Sequence, residues 1–185
     1  GAATTTMRIG SGGVMLPLNT RLTAADLEYM LNDAGATALV LDDTFVHLLS
    51  GLRERCPQLR HVILLGDVVP GAPEMLTWDA LAAQAQPLED AGRAGQEIAG
   101  IFYTGGSTGR PKGVMISHRS LAAHAVAARQ RYGLTPRDHV LQFASLSFDV
   151  ALEEIVPTLV CGAKLVLRSD EMASSPIAFA EGVAT

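Results

Sequence analysis

Cysteine is scarce in this chain of 185 residues, which contains only Cys56 and Cys161. Two cysteines cannot build a framework of several disulfides or supply the ligands of a four-cysteine zinc site. We expect free thiols in a reducing compartment, and therefore a cytoplasmic protein. The five histidines include no pair at the i, i+4 spacing of a helical zinc site, so the sequence predicts no metal site of its own.

Long apolar runs and strong positive charge are also missing. No uninterrupted apolar segment approaches the ~20 residues that span a bilayer, which argues against a transmembrane helix and a membrane partner. The formal net charge is −5, so the basic footprint of a nucleic-acid-binding protein is absent. The 48% hydrophobic and 18% charged residues are typical of a globular protein with a buried core.

The two ends of the chain carry few of the usual signals. The start, Gly1 to Thr4, has no initiator methionine and no basic segment that leads into an apolar one, so we expect no signal peptide. The last residues form no charged or capped ending. Both observations favour an excerpt from a longer protein.

Extended and helical patterns alternate along the chain. Helix signals include a capping box at Thr23–Asp26, proline after a predicted helix over 43–55, and Gly133 after a predicted helix that Ser117 caps. The pattern predicts an α/β fold with a largely parallel sheet covered by helices. The predicted strands are 14–18, 38–41, 61–65, 98–103, 114–116, 140–144 and 164–167, and the further predicted helices are 77–85 and a segment that begins near residue 149.

Glycine and proline are concentrated in residues 66–97, where the periodic patterns are weakest. We therefore expect a boundary between two α/β halves there. The first half is 1–97, incomplete at its N-terminus. The second half is 98–185, truncated at its C-terminus.

The most informative stretch is the glycine-rich segment 103–113, which reads Tyr-Thr-Gly-Gly-Ser-Thr-Gly-Arg-Pro-Lys-Gly. Glycine permits backbone conformations that turn several N–H groups toward one point. Three hydroxyl groups and one ammonium add donors, and this set suits a polyphosphate better than the alternative, a flexible surface loop. The candidate phosphate-binding residues are Thr104, Gly105, Gly106, Ser107, Thr108, Gly109 and Lys112.

Three other motifs fit this chain poorly. A Walker A loop needs Gly directly before its Lys and Ser or Thr after it, whereas Lys112 lies between Pro111 and Gly113. Residues 10–15 lack the third glycine and the preceding strand of a dinucleotide fingerprint. Residues 105–109 match the G-x-S-x-G nucleophile elbow of hydrolases, but proline and glycine follow where that motif requires a helix.

Residues 103–121 resemble the phosphate-loop signature of the adenylate-forming superfamily, which includes acyl-CoA synthetases, luciferases and the adenylation domains of nonribosomal peptide synthetases. The usual pattern is Y-T-S-G-[ST]-T-G-x-P-K-G-V, and this chain departs from it once, at Gly105. The resemblance implies that a carboxylate attacks the α-phosphate of ATP, giving an acyl-adenylate and pyrophosphate, before a thiol takes the acyl group. Lys112 would stabilise the leaving pyrophosphate.

Residues 143–167 are similar to the next core motif of peptide-synthetase adenylation domains. In that family the aspartate of the Phe148-Asp149 pair binds the α-ammonium of an amino acid, and a carboxylate is a natural partner for that cation. Acyl-CoA synthetases usually carry Phe-His here, so Asp149 favours an amino acid; the alternative role is a helix N-cap. By the same resemblance Val150 and Glu153 would line the side-chain pocket, although Glu153 also suits a solvated helix face.

The resemblance therefore implies an amino-acid-activating enzyme that uses ATP and Mg²⁺ and transfers the aminoacyl group to the phosphopantetheine arm of a carrier protein. Residues 13–27 look more like an acyl-CoA synthetase, so an acyl- or aryl-CoA synthetase with coenzyme A as acceptor is one alternative. A non-catalytic nucleotide-binding module is another. The family's later motifs, including the glutamate that helps to hold Mg²⁺, are not found. We expect these 185 residues alone to be inactive or nearly so.

Overall fold

A computed structural model describes residues 12–19, 23–66, 75–87, 89–105 and 110–183. Strands and helices alternate through these residues. The strands are β1 (Ala38–Asp42), β2 (His61–Leu65), β3 (Leu76–Thr77), β4 (Ile98–Thr104), β5 (Lys112–Ser117), β6 (His139–Gln142) and β7 (Lys164–Leu167). The α-helices are α1 (Ala24–Asp33), α2 (Leu52–Arg55), α3 (Trp78–Gln84), α4 (His118–Tyr132), α5 (Val150–Cys161), α6 (Asp170–Ser174) and α7 (Pro176–Val183).

The predicted α/β class is confirmed. Among the described residues the strands pair in three groups: β1-β2-β3 and β6-β7 are parallel, as predicted, whereas β4 and β5 form an antiparallel hairpin. The antiparallel pair departs from the largely parallel expectation because its two strands are joined directly by a short loop. Parallel strands need a longer crossover.

Helix α1 begins where the sequence predicts. Thr23 and Asp26 form the full capping box: the Thr23 hydroxyl accepts the Asp26 N–H at 3.2 Å, and an Asp26 carboxylate oxygen accepts the Thr23 N–H at 3.2 Å. These reciprocal bonds satisfy two donors that a helix start otherwise leaves free. The apolar face that follows packs inward, with Leu27, Met30 and Leu31 all buried.

A single apolar cluster joins α1, β1, α2 and β2. Its most buried members include Leu31, Leu52 and Leu64, each at most 2% exposed. Such side chains stabilise the fold by about 2 kcal/mol each through removal from water. The whole cluster is Leu27, Leu31, Leu39, Leu41, Leu52, Cys56, Leu59, Val62 and Leu64.

The predicted helix over 43–55 is wrong in its middle. A 3-10 helix covers Asp43–Leu49, and α2 begins only at Leu52. Gly51 lies between them with a φ of +66°, in the left-handed region that interrupts a right-handed helix. The segment therefore turns sharply before its second half packs into the core.

The predicted strand over 14–18 forms only one bridge, between Met15 and Gly100 of β4. The Met15 N–H donates to the Ala99 carbonyl at 3.0 Å, and the Ile101 N–H donates to the Met15 carbonyl at 2.8 Å. A Cβ atom at Gly100 would lie 3.3 Å from the Met15 carbonyl oxygen. Glycine at position 100 thus permits this close approach of two backbones.

The buried face of α5 differs from the predicted one. The helical spacing in the sequence predicts that Leu152, Ile155, Val156 and Leu159 share one face, but Leu159 is 57% exposed. The buried residues of α5 are instead Ala151, Pro157, Thr158 and Cys161. Because this helix is apolar on nearly all sides, its periodicity did not identify the face that contacts α4, β6 and β7.

Pro157 lies inside α5 and lacks the N–H that would bond to the carbonyl of residue 153. The fully buried Thr158 hydroxyl donates to the next carbonyl along, that of Glu154, at 2.5 Å. This bond satisfies a polar group that would be costly to bury alone. Gly162 then ends the helix with a φ of +76°.

Candidate functional site

The glycine-rich loop connects the two strands of the β4–β5 hairpin. The sequence predicted that Thr104 and Lys112 belong to the loop. In the structure they are instead the last paired residues of the two strands and lie directly opposite each other. Cross-strand pairing extends both strands to these positions, a tertiary effect that the local sequence does not encode. The candidate hydroxyl of Thr104 and the ammonium of Lys112 are thereby brought to the same end of one hairpin.

The middle of the predicted phosphate loop lies outside the described residues. This applies to the candidate residues Gly106, Ser107, Thr108 and Gly109. Gly105 is described, and a Cβ atom placed on it would have no neighbour within 4 Å among the residues that the structure describes. The described ends of the loop are exposed at Thr104 and Lys112.

The C-terminal end of α1 packs beside β4 just before this loop. The Tyr103 hydroxyl donates a 2.5 Å hydrogen bond to the Asp33 carboxylate. Burial and this bond raise the pKa of the Tyr103 phenol well above its ordinary value. The Tyr29 ring meets the Tyr103 ring edge-on with centroids 6.5 Å apart, and the Arg110 guanidinium lies 5.9 Å from the centroid of the Tyr29 ring.

Sequence reasoning assigned no role to Tyr103, Asp33 or Arg110. Arg110 adds a second cation close to Lys112, at the far end of the loop, and its approach to the Tyr29 ring is a cation–π contact. The positions of α1 and of the loop are unrelated in sequence, so no motif could have indicated this contact.

The second group of candidate residues lies at the start of α5. Asp149 directly precedes the helix, is exposed, and accepts the N–H of the adjacent Val150 at 3.0 Å. A strong N-cap accepts the N–H two or three residues on, so the alternative role predicted for Asp149 is realised only in part. Among the described residues no cationic side chain forms an ion pair with Asp149.

Val150 and Glu153 lie one turn apart on the same end of α5. Val150 is 51% exposed. Glu153 accepts a hydrogen bond from the Tyr132 hydroxyl at the end of α4, and this bond raises the pKa of that phenol. The helical spacing predicts Tyr132 on the inner face of α4 with Leu121, Ala125 and Ala128. For Tyr132 this prediction is wrong: its side chain is 54% exposed and bonds to α5, while the other three residues are buried.

A neighbouring glutamate makes contacts that no sequence pattern indicated. The Glu154 carboxylate accepts hydrogen bonds from the backbone N–H of Phe143, the backbone N–H of Ala144 and the side-chain amide of Gln142. It thereby ties the end of β6 to the second turn of α5. The signal, a pair of glutamates on a largely apolar helix, is present in the sequence but does not reveal a partner.

Helix α4 contacts both the β4–β5 hairpin, which carries Thr104 and Lys112, and α5, which begins after Asp149. Helix α4 follows β5 directly, packs against β4, β5 and α5, and ends at Tyr132. No hydrogen bond or ion pair among the described residues joins the Thr104–Lys112 pair directly to Asp149, Val150 or Glu153.

The part of the chain that the structure describes contains no cluster of three histidine, cysteine, aspartate or glutamate side chains able to hold a metal ion. Over the same residues, no helix is both long and apolar enough to cross a membrane.

Comparison with known proteins decides the family. The sequence profile described as "AMP-binding enzyme" matches residues 9–184, almost the whole chain. The chain belongs to the AMP-binding enzyme family. These are the adenylate-forming enzymes that the phosphate-loop signature resembles, and the motif-based prediction of this superfamily is confirmed.

Relatives within the AMP-binding family include both predicted kinds of enzyme. A linear gramicidin synthase from Brevibacillus parabrevis is 33% identical over 162 residues, 88% of this chain and 2% of its own length. A 3-hydroxybenzoate–CoA/4-hydroxybenzoate–CoA ligase from Thauera aromatica is 33% identical over 164 residues, 88% of this chain and 31% of its own length. The chain therefore spans less than a third of either relative.

Solved structures support the same fold. ATP-bound MatB from Rhodopseudomonas palustris superposes with a TM-score of 0.71 at 26% identity, over 95% of this chain and 37% of that one. The anthranilate CoA ligase AuaEII, solved with anthranoyl-AMP, superposes with a TM-score of 0.76 over 90% of this chain and 32% of that one. At 24% identity, the second likeness shows the AMP-binding fold alone.

Proposed function

We propose that the protein to which this chain belongs activates an amino acid by ATP-dependent adenylation. An oxygen of the amino acid carboxylate forms a bond to the α-phosphorus of ATP, and the bond from that phosphorus to the bridging oxygen breaks. The products are aminoacyl-AMP and pyrophosphate. The thiol of a carrier-protein phosphopantetheine arm then attacks the acyl carbon and releases AMP.

Asp149 is the observation that carries the choice of an amino acid. Its carboxylate is exposed at the start of α5, accepts one backbone N–H, and has no ion-pair partner among the described residues. Such a group retains acceptor capacity for an α-ammonium. Val150 and Glu153, on the same end of α5, are the residues we propose for the side-chain pocket.

The β4–β5 hairpin supports the proposed handling of ATP. Thr104 and Lys112 face each other across the ladder, so a hydroxyl donor and an ammonium flank the loop from both ends. Their charge and hydrogen bonds would stabilise the β- and γ-phosphates as they leave. The proposed phosphate-binding set is Thr104, Gly105, Gly106, Ser107, Thr108, Gly109 and Lys112.

Mg²⁺ belongs to this proposal as a cofactor held outside these 185 residues. The described residues gather no three-ligand cluster, so the chain contributes its ammonium and hydroxyl donors, and carboxylate ligands for the ion would come from the remainder of the protein. For the same reason we propose that the 185 residues alone do not catalyse adenylation. The two buried free thiols, Cys56 and Cys161, accord with a cytoplasmic enzyme.

The decisive experiment is amino-acid-dependent exchange of labelled pyrophosphate into ATP by the full-length protein, tested over amino, fatty and aryl acids. Asp149→Asn keeps the shape and the Val150 contact but removes the charge, and it is expected to abolish exchange while ATP binding persists. Asp79→Asn, an exposed aspartate on α3, is the matched control. Unchanged exchange in Asp149→Asn would refute the proposed role.

An aryl- or acyl-CoA synthetase is the second candidate. It is favoured by the hydroxybenzoate–CoA ligase from Thauera aromatica, which is as similar to this chain as the linear gramicidin synthase. The two functions differ in the acid that supports exchange and in the final acceptor. Formation of a thioester on free coenzyme A, without a carrier protein, would select the CoA synthetase.

A further inference from the structure

Glu154 binds the first residues of the segment 143–149, which ends at Asp149. One carboxylate oxygen accepts the N–H groups of Phe143 and Ala144, both at 3.0 Å, and also the Gln142 side-chain amide at 3.2 Å. The second oxygen lies 3.2 Å from the Ala144 nitrogen. Two consecutive backbone N–H groups at the end of β6 therefore converge on one anionic side chain.

This contact closes a small loop onto a single helix. The loop leaves β6 at Phe143, where Glu154 holds it, and returns to α5 at Asp149, five residues before Glu154. Between these points the chain turns tightly, since the Phe148 N–H donates to the Ser145 carbonyl at 2.9 Å and the Ser145 and Ser147 hydroxyls lie 2.9 Å apart. Both ends of the loop are thus fastened to the first two turns of α5.

Glu154 and its neighbour Glu153 are both half-buried but differ in their partners. The Glu154 side chain bonds to the backbone that follows β6, whereas Glu153 bonds to the Tyr132 hydroxyl. Partial burial of a carboxylate is unfavourable unless hydrogen bonds replace its hydration, and the three donors supply that replacement. Glutamine at this position would keep the size and could turn its carbonyl oxygen toward the three donors, but it would lose the negative charge that strengthens these hydrogen bonds.

We propose that Glu154 is a positioning residue for the acid-substrate site: it fixes the loop 143–149 and, through it, the carboxylate of Asp149. The inference rests on the proposed function, because Asp149 is taken as the group that binds the substrate. Glu154 itself contacts neither substrate nor ATP in this proposal. Its removal therefore changes affinity for the acid and not affinity for ATP.

The test compares Glu154→Gln with wild type in the full-length protein. Loss of charge-assisted hydrogen bonds is expected to raise the KM of the acid substrate by about tenfold, while the KM of ATP stays unchanged. Simple loss of folded enzyme would lower the maximal rate and leave both KM values as they were. Glu54→Gln, at an exposed glutamate of α2, is the matched control and is expected to leave both KM values unchanged.

Hydrogen exchange provides a readout that does not depend on catalysis. The amides of Phe143 and Ala144 are expected to exchange faster in Glu154→Gln than in wild type. Should Glu154→Gln not fold, Gln142→Met removes the side-chain amide that donates to both Glu154 and the Ala144 carbonyl, and it is expected to raise the acid KM by a smaller factor in the same direction.

The outcomes separate the two proposals. If wild type activates a fatty or aryl acid instead of an amino acid, the proposed function fails, while amide exchange and the KM of that acid still decide the role of Glu154. An acid KM within twofold of wild type, together with unchanged exchange at Phe143 and Ala144, would overturn the positioning role whatever the substrate is.

Discussion

Tyr103 and Asp33 share one hydrogen bond, 2.5 Å long, in which a phenol on β4 donates to a carboxylate at the end of α1. The two residues are 70 positions apart. Tyr103 is also the residue before Thr104, where the candidate phosphate loop begins. The bond therefore fixes α1 beside the entrance to that loop.

Replacing Tyr103 with phenylalanine should lower the free energy of unfolding by about 1 kcal/mol, because the ring stays while the bond to Asp33 is lost. Urea unfolding of the 185-residue chain measures this. Tyr29→Phe is the matched control, since Tyr29 contacts Tyr103 through its ring. Equal stability of the Tyr103 and Tyr29 variants would contradict the importance of the hydroxyl.

The same bond predicts a pH dependence. Because the pKa of Tyr103 is raised in the folded state, its contribution to stability is fully present below the unfolded tyrosine pKa of about 10 and is lost as the pH rises toward the folded value. The stability difference between wild type and Tyr103→Phe should be constant from about pH 7 to 9 and shrink above about pH 10. Urea unfolding at stepped pH checks this, and a difference that grows with alkalinity would contradict it.

Lys112→Ala in the full-length protein should lower kcat for adenylate formation by about 10²–10³-fold, the usual cost of losing one donor to developing charge. Lys164→Ala is a close control: Lys164 is the only other lysine of the chain and lies exposed on β7. Pyrophosphate exchange measures both. Equal rates for the two variants would remove Lys112 from the proposed mechanism.

Gly133→Ala should destabilise the chain by about 1 kcal/mol, because the residue that ends α4 has a φ of +65° and a Cβ atom there would meet no neighbour. The effect is thus one of backbone conformation alone. Gly133→Asn should cost less, since asparagine tolerates the left-handed region. Urea midpoints of the three proteins test the order, and an alanine variant as stable as wild type would contradict it.

Local signals in the sequence predicted local structure well. The capping box at Thr23, the cap at Ser117 and the glycine at 133 marked helix ends correctly, because each acts within four residues of its own position. Gly51 is a signal of the same kind: it separates the 3-10 helix from α2, where the sequence predicts one continuous helix.

Contacts between distant segments could not be predicted. Pairing of β4 with β5 extended the strands to Thr104 and Lys112, and packing of α5 selected small residues rather than leucines for its buried face. The family motifs identified Asp149 but gave no partner for Glu154, because the partner is backbone from another segment. The assignment of Ser107 and Thr108 to phosphate binding stays a prediction from the motif.

The hairpin has a consequence for how the glycine-rich loop can evolve. Its seven residues, 105–111, connect Thr104 and Lys112, the last pair of the two strands. Strand pairing therefore already holds the two ends of the loop together. Adding two residues would change the closure entropy by only about 0.2 kcal/mol. Folding therefore imposes little restriction on the length of this loop, and selection on its length and composition would act mainly through what the loop binds.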